Sequence, residues 1–217
     1  TVTGISVRPE GGHEAWFGYT DHITPPTIYS FDGRTLEVRK YADPPGAVVV
    51  PKVFAQLIAY TSFDDTQVRM FILSPKEIAD TPRSTVLYGY GGFGVGLNPV
   101  FSASALAWVE AGGVWAVANI RGGDEEGEEW HRQGMRGEKQ NVFDDFIYAA
   151  KYLIDNGWTS REKLAIEGGS NGGLLVGAAL TQRPDLFAAV VCSAPLLDMV
   201  RYELHGLGAT WSDEYGS

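Results

Sequence analysis

The segment EGGSNGG, residues 167–173, surrounds a single hydroxyl, Ser170, with glycines on both sides. The run before it, KLAIEG (163–168), is short and apolar and predicts a strand, and the run after it, NGGLLVGAALTQ (171–182), predicts a helix. Glycine lacks a Cβ, so it suits a very tight turn between a strand and a helix. We therefore expect Ser170 to adopt a strained backbone conformation, with its hydroxyl free at the C-terminal edge of a sheet.

The glycines of this turn have distinct predicted roles. Side chains at Gly168 and Gly172 would collide with the neighbouring helix and strand, and Gly169 and Gly173 loosen the packing further. The helix that begins at about Asn171 directs its N-terminus toward the serine, so its dipole and the Asn171 N–H favour negative charge on a tetrahedral intermediate. G-x-S-x-G between a strand and a helix is the nucleophile elbow of α/β-hydrolases.

Other glycine-rich turns fit this segment less well. A P-loop requires Gly-Lys followed by Ser or Thr, whereas Gly173 is followed by Leu174. The dinucleotide-binding pattern G-x-G-x-x-G requires other glycine positions than GGSNGG supplies. A purely structural turn stays open as an alternative. In that case, however, the glycines on both sides of an exposed serine would be a coincidence.

From residue 45 onward the sequence alternates predicted strands with predicted helices. Strands are predicted within 53–75, where an Asp-Asp turn divides two of them, and at 84–90, 114–120, 163–168 and 187–194, and helices at 102–113, 141–157 and 171–182. Such alternation is typical of βαβ units and a mainly parallel sheet, so the predicted fold class is α/β.

Residues 1–44 follow a different pattern. Four segments rich in aromatic and β-branched residues, TGISVRP, EAWFGYTD, TIYSFDG and TLEVRKY, are separated by the turn-forming clusters EGG, HITPP and DGR. They predict a short all-β segment. DPPG (43–46) marks a boundary, because two prolines stop regular structure. We therefore expect two units, 1–44 and 45–217.

Composition and charge limit the classes of function. Twenty-seven acidic against 17 basic residues give a net charge of −10, which argues against a nucleic-acid binder. No apolar run is long enough to span a bilayer, so no membrane partner is expected. The single cysteine, Cys192, is expected in the core, and it favours a reducing compartment, the cytoplasm, with the periplasm left open. Thr1 is not a start methionine and DEYGS lacks a closing helix, so we expect a fragment.

An elbow serine requires a second oxyanion donor from the loop after the third strand. The segment YGYGGFGVG (88–96) stands at that place, and its glycines let the backbone approach a ligand. Tyr90 carries a phenol that can donate a hydrogen bond. Taken alone, Tyr88 and Tyr90 are more often core or surface aromatics than catalytic groups.

Several motifs together resemble one known family, the prolyl oligopeptidases. They are LYGYGGF (87–93), ANIRGG (118–123), KQNVFDDF (139–146), GGSNGGLL (168–175), QRPDLF (182–187) and DEYG (213–216). Their order and spacing match over about residues 45–217. The resemblance implies an α/β-hydrolase joined to a seven-bladed β-propeller, and residues 1–44 then resemble the end of the last blade.

The resemblance also implies roles for individual residues. Ser170 corresponds to the nucleophile, and the Asn171 N–H and the Tyr90 hydroxyl correspond to the oxyanion hole. The family binds a proline ring in a flat apolar slot against a tryptophan. The slot residues correspond to Trp211, Phe93, Tyr215 and Leu196. A rigid ring with an apolar face and no N–H suits such a slot; without the resemblance, each aromatic is better explained as core.

The base and acid of a serine triad are not evident in the sequence. In this fold they follow the serine, and His205 is the only histidine after Ser170, with Asp198 as its candidate acid. We prefer a surface or hydrogen-bonded role for every histidine, namely His13, His22, His131 and His205. The resemblance agrees, because it implies that the family's Asp, His and substrate-binding Arg lie beyond residue 217.

The expected function is that of a serine endopeptidase that cleaves short peptides after proline through an acyl-enzyme. No metal or organic cofactor is implied, the enzyme is expected to be a monomer, and the remaining propeller and C-terminal catalytic segment are its expected partners. The chain alone is expected to be close to inactive. An esterase, an arginine-directed oligopeptidase or a non-catalytic hydrolase-like binding module stays open as an alternative.

Overall fold

Two separate β-sheets organise the chain in the computed structural model, which describes residues 1–46 and 49–216. The first sheet is an antiparallel meander in the order β1-β2-β3-β4. Its strands are β1 (Val2–Val7), β2 (Glu14–Tyr19), β3 (Thr27–Asp32) and β4 (Glu37–Ala42). The four strands predicted within residues 1–44 are confirmed, and short connections that carry Gly, Pro and Asp join them.

The first sheet contacts the rest of the chain through a few specific groups. The Thr1 hydroxyl donates to the Pro99 carbonyl at 2.7 Å, and the Phe101 N–H donates to the Thr20 hydroxyl at 3.2 Å. The His22 ring lies 4.7 Å from the ring of Phe71, centroid to centroid. The boundary expected at residues 44 and 45 stays a prediction; residues 47, 48 and 217 of the expected second unit lie outside the described residues.

The second sheet is mixed and contains six strands in the order β10-β9-β7-β8-β6-β5. They are β5 (Phe54–Thr61), β6 (Gln67–Ser74), β7 (Thr85–Tyr88), β8 (Val114–Asn119), β9 (Leu164–Gly169) and β10 (Ala189–Ser193). The four strands from β7 to β10 pair in parallel, whereas β6 is antiparallel to β5 and β8. The expectation of a mainly parallel sheet is therefore confirmed.

The helices lie on both faces of this sheet. They are α1 (Ala103–Glu110), α2 (Glu128–Arg132), α3 (Lys139–Asp155), α4 (Asn171–Gln182) and α5 (Ser212–Tyr215). On one face, α3 and α4 pack into the main core with apolar side chains of the central strands. On the other face, α1 packs Ala105 and Val109 against Leu73. Among the described helices, none is long and apolar enough to cross a membrane.

The helix predictions agree with the structure to within a few residues. The predicted helix 141–157 is observed as α3, which ends where Gly157 takes a positive φ of 76°. The short helices α2 and α5 were not predicted, because four or five residues carry too little periodicity to be recognised. Cys192, expected in the core, is half-buried on the edge strand β10 and contacts the Gly173 carbonyl.

Candidate active site

The turn between β9 and α4 holds Ser170 in a strained conformation, with φ 57° and ψ −117°. A Cβ on Gly168 would overlap the carbonyl oxygen of Gly172, and a Cβ on Gly172 would lie 2.7 Å from the carbonyl oxygen of Gly89. At Gly173 a Cβ would lie 2.7 Å from the Cα of Pro195. Neighbouring backbone therefore excludes side chains at these three positions, and Ser170 itself is exposed to solvent.

Gly169 differs from the other glycines of the turn. A Cβ there would lie 3.6 Å from the nearest atom, the carbonyl oxygen of Ser193, which is an ordinary van der Waals distance. The expected role of Gly169 in loosening the packing is therefore wrong, because nothing lies close enough to require it. The Ser170 N–H donates to the same Ser193 carbonyl at 2.9 Å, which fixes the turn against β10.

The loop after β7 bends sharply and approaches the serine turn. Gly91, Phe93 and Gly94 all have positive φ values, of 64°, 57° and 61°. Lys139, at the start of α3, donates from Nζ to the Gly91 carbonyl at 2.9 Å. The Asn171 side-chain amide donates to the Tyr90 carbonyl at 2.5 Å, so the loop and the start of α4 are joined directly.

These elements surround a cleft of about 290 Å³. Its lining residues are Tyr90, Phe93, Ser170, Asn171, Ala194, Pro195, Leu196, Trp211 and Tyr215. All seven residues to which the resemblance assigns a role line this one cleft, although they come from four separate segments of the chain. Ala194 and Pro195 were not singled out; they follow β10 directly, and strand ends beside an elbow are where such residues can be sought.

A second cleft lies on the face of the first sheet. It has a volume of about 440 Å³ and is lined mainly by β1 and β2, with Ile5, Trp16 and Tyr41 among its apolar side chains. No histidine, carboxylate or amine of the described residues lines it. We therefore place the candidate active site in the smaller cleft, which contains a strained serine.

One wall of the active-site cleft is aromatic. The ring of Tyr215 lies edge-on to Phe93 at 5.6 Å and to Tyr202 at 5.5 Å, measured between centroids. The Tyr215 hydroxyl donates to the side-chain carbonyl of Asn171 at 2.9 Å. Burial, followed by the nearby charge of Glu214, raises the pKa of Tyr215, so this phenol stays neutral and remains a donor.

Behind the aromatic wall lies a buried ionic cluster that the sequence reasoning did not find. The Glu214 carboxylate, in a residue 3% exposed, lies 3.0 Å from Lys139 Nζ and 2.7 Å from His131 Nε2. Burial lowers the pKa of Lys139, and Glu214 opposes that shift. The motifs containing Lys139 and Glu214 were recognised, but their pairing is visible only in three dimensions.

The alternative acid and base do not meet at the cleft. Asp198 pairs with Arg201 at 2.8 Å, and this guanidinium holds the pKa of Asp198 below its usual value. Among the described residues no hydrogen bond joins Asp198 to His205, and neither lines the cleft. His131 is hydrogen-bonded as expected. His13 lies directly before β2 and His22 in the connection between β2 and β3, and neither lines the cleft.

Sequence comparison identifies relatives over most of the chain. The profile of the prolyl oligopeptidase family matches residues 99–217. A prolyl endopeptidase from Elizabethkingia miricola is 42% identical over 205 residues, which make up 94% of this chain and 29% of the relative. A prolyl endopeptidase from Dictyostelium discoideum is 38% identical over 206 residues, or 93% of this chain and 27% of the relative.

Structure comparison gives the same result. A solved prolyl endopeptidase structure has a TM-score of 0.90 and 46% identity, and the match covers 99% of this chain and 32% of that one. A post-proline cleaving enzyme from Rickettsia typhi has a TM-score of 0.90 and 40% identity, with coverage of 100% and 31%. The chain thus spans about three tenths of the length of these relatives.

The comparisons confirm the fold class expected from the sequence, an α/β-hydrolase fold preceded by an all-β segment of the propeller type. The strained serine, the glycine-rich loop and the aromatic wall all lie within the match to the Rickettsia typhi enzyme, which covers the whole of this chain. The chain therefore belongs to the prolyl oligopeptidase family of serine peptidases.

Proposed function

We propose that the protein containing this chain is a serine endopeptidase that cleaves short peptides on the carboxyl side of proline. The observation that carries the proposal is the cleft itself, in which a strained, exposed Ser170 faces an aromatic wall. The remaining propeller and C-terminal catalytic segment would come from the rest of the protein. No cofactor is required, a monomer suffices, and the single cysteine supports a cytoplasmic location.

Ser170 acts as the nucleophile in this mechanism. Its Oγ attacks the carbonyl carbon of the substrate's proline residue, while a histidine from outside the described residues takes the hydroxyl proton. The tetrahedral oxyanion accepts hydrogen bonds from the Asn171 N–H and the Tyr90 hydroxyl. As the first residue of α4, Asn171 has an N–H without an intrahelical acceptor, which leaves it free for this role. Collapse of the tetrahedral intermediate breaks the bond between the proline carbonyl and the next nitrogen, and the histidine gives its proton to the leaving amine. Water then hydrolyses the acyl-enzyme and restores the Ser170 hydroxyl.

The slot beside Ser170 supports the proposed preference for proline. Trp211, Phe93 and Tyr215 offer apolar ring surfaces, and Leu196 adds an aliphatic side chain. A proline ring is flat, apolar and rigid, and it has no N–H that would be left unpaired in such a slot. No carboxylate of this chain lines the slot among the described residues, so arginine would lack an ionic partner there.

The test uses the complete protein and fluorogenic peptides that differ only in having proline, arginine or alanine before the scissile bond. We expect turnover of the proline peptide, and Ser170→Ala should reduce kcat/KM by at least about 10⁴-fold. A serine-reactive fluorophosphonate should label the unmodified protein but not the variant.

Each alternative function predicts a different result in this test. Faster cleavage after arginine would replace the proposal with an arginine-directed oligopeptidase. Labelling combined with ester but no peptide hydrolysis would indicate an esterase. A protein that stays unlabelled would be a non-catalytic binding module.

A further inference from the structure

The aromatic wall of the cleft is carried by a segment with little stability of its own. Trp211 ends a short 3-10 turn, and Tyr215 belongs to α5 (Ser212–Tyr215), which has only four residues. Such a short helix is not stable by itself, because it forms too few backbone hydrogen bonds to offset the cost of nucleation. Side-chain contacts must therefore hold this segment against the rest of the molecule.

Glu214 provides the most buried of these contacts. Its two carboxylate oxygens are divided between two partners, Oε1 with Lys139 Nζ at 3.0 Å and Oε2 with His131 Nε2 at 2.7 Å. The side chain of Glu214 is 4% exposed and that of Lys139 is 12% exposed. Removing one partner of such a pair leaves the other charge buried and unpaired, which is costly.

The same ammonium also reaches the opposite side of the cleft. Lys139 Nζ donates to the Gly91 carbonyl at 2.9 Å, and it lies 5.3 Å from the centre of the Tyr215 ring. One charged group thus joins the wall segment to the loop that carries Tyr90 and Phe93. The ammonium cannot move to follow a displaced carboxylate without releasing the Gly91 carbonyl.

Asn171 joins the same two segments at a second point. Its side chain accepts a hydrogen bond from the Tyr215 hydroxyl and donates one to the Tyr90 carbonyl. A Cβ on Gly92 would lie 2.5 Å from the Asn171 side-chain nitrogen, so the loop is packed closely against this amide. Two sets of contacts therefore fix the distance between the aromatic wall and the loop. One is ionic, through Lys139, and the other is neutral, through Asn171.

We propose that Glu214 is a positioning residue that sets the width of the slot between the aromatic wall and the loop of Tyr90 and Phe93. Its carboxylate does not line the cleft; it acts by holding Trp211 and Tyr215 at the spacing that a proline ring fills. Because it concerns the same slot, the inference rests on the proposed function. It adds a determinant of specificity that does not itself touch the substrate.

The test compares Glu214→Gln with Asp213→Asn in the complete protein. Both changes replace a carboxylate by an amide in the same short helix. Asp213, however, has a side chain that is 97% exposed, and among the described residues it pairs only with the exposed Arg136. For the proline peptide, Glu214→Gln should raise KM about tenfold and change kcat less than about threefold. Asp213→Asn should leave both values unchanged.

A small fluorophosphonate provides a second measurement, because it reacts at Ser170 without filling the slot. Its labelling rate should change less than about twofold in Glu214→Gln, while the preference for proline over alanine falls about tenfold. A role limited to stability would lower the amount of active enzyme but would leave the KM of the folded molecules unchanged. An unchanged KM in Glu214→Gln would therefore overturn the inference.

A third variant keeps the inference testable if Glu214→Gln does not fold. Glu214→Asp retains the charge but shortens the side chain by one methylene, so it should raise KM about threefold with an unchanged labelling rate. An unchanged KM in this variant would also overturn the inference. Failure of the proposed function is distinguishable, because the unmodified protein would then fail to cleave after proline or to be labelled.

Discussion

At the scale of the single residue, the strained backbone of Ser170 bears most directly on the proposed function. A non-glycine residue in this conformation costs about 1–3 kcal/mol, so the surrounding structure must impose it. In this turn, contacts between backbone atoms impose the conformation. Gly168 and Gly172 approach so closely that a Cβ on Gly168 would overlap the Gly172 carbonyl. The exposed hydroxyl follows from the missing side chains on either side of it.

A matched pair of glycine substitutions tests this explanation. Gly168→Ala should reduce kcat/KM for the proline peptide about 10²-fold, because relieving the overlap displaces Ser170. Gly169→Ala should change it less than about threefold, since a Cβ there meets only ordinary contacts. Steady-state kinetics of both variants provide the measurement. Equal losses would contradict a steric origin of the elbow.

Arg121 shows how elements are joined around this site. Its guanidinium is 2% exposed at the end of β8, where it contacts Asp145 of α3 at 2.6 Å and Asp64 of the β5–β6 turn at 2.6 Å. The Ser62 hydroxyl also donates to Asp145, at 2.5 Å. Because Arg121 and Asp145 are both buried, their ion pair holds α3 to the sheet at one defined position. The same ion pair thereby helps to position Lys139, the first residue of α3.

The two carboxylates that pair with Arg121, Asp145 and Asp64, should differ in their effect on the stability of the protein. Asp145→Asn removes a fully buried partner and should destabilise the protein by about 3 kcal/mol. Asp64→Asn removes a carboxylate whose side chain is 41% exposed, so after screening by solvent the loss should be about 1 kcal/mol or less. Melting temperatures at pH 7 should rank the variants in this order, and the reverse order would contradict it.

The effect of Asp64 should also depend on pH. A hydrogen bond from Arg121 lowers the pKa of Asp64 from 3.8 to about 2 in the folded protein. A carboxylate with a lowered pKa contributes stability above its unfolded pKa, and the contribution is lost as the pH falls through the folded value. The difference in melting temperature between Asp64→Asn and the unmodified protein should therefore shrink between about pH 4 and pH 2. A constant difference would argue against ionic stabilisation.

At the scale of the whole molecule, strand order creates the cleft. In the sheet, β8 lies on one side of β7 and β9 lies on the other side. The loop after β7 therefore leads toward β8, and the loop after β9 leads in the opposite direction, toward β10. Such a point of reversal leaves a crevice in α/β folds. Ser170 follows β9 and the loop of Tyr90 follows β7, which places both on the crevice.

The residues that line the cleft lead to a prediction about the 217-residue chain itself. No histidine among the described residues lines the cleft, so Ser170 lacks a base there. The isolated chain should therefore show no measurable turnover of the proline peptide, whereas the complete protein should cleave it. Turnover by the isolated chain that disappears in Ser170→Ala would instead require a base such as His205.

Most of the fold, and the segments that line the candidate cleft, were predictable because their signals are local. The close approach of Gly168 and Gly172 lies within one turn of the chain, and the apolar spacing of α3 covers consecutive turns of one helix. The loop of Tyr90 was found through its position after a strand and through a motif. In contrast, α2 and α5 are too short to show the repeated spacing of apolar residues by which a helix is recognised.

The sequence by itself determined the elbow, the alternation of strands and helices and the segments that carry the site. Only the tertiary structure decided that Glu214 pairs with His131 and Lys139, which are 83 and 75 positions away in the chain. The physical reason is that burial and pairing depend on which distant surfaces meet. A carboxylate looks the same in the sequence whether it is exposed, as in Asp213, or enclosed, as in Glu214.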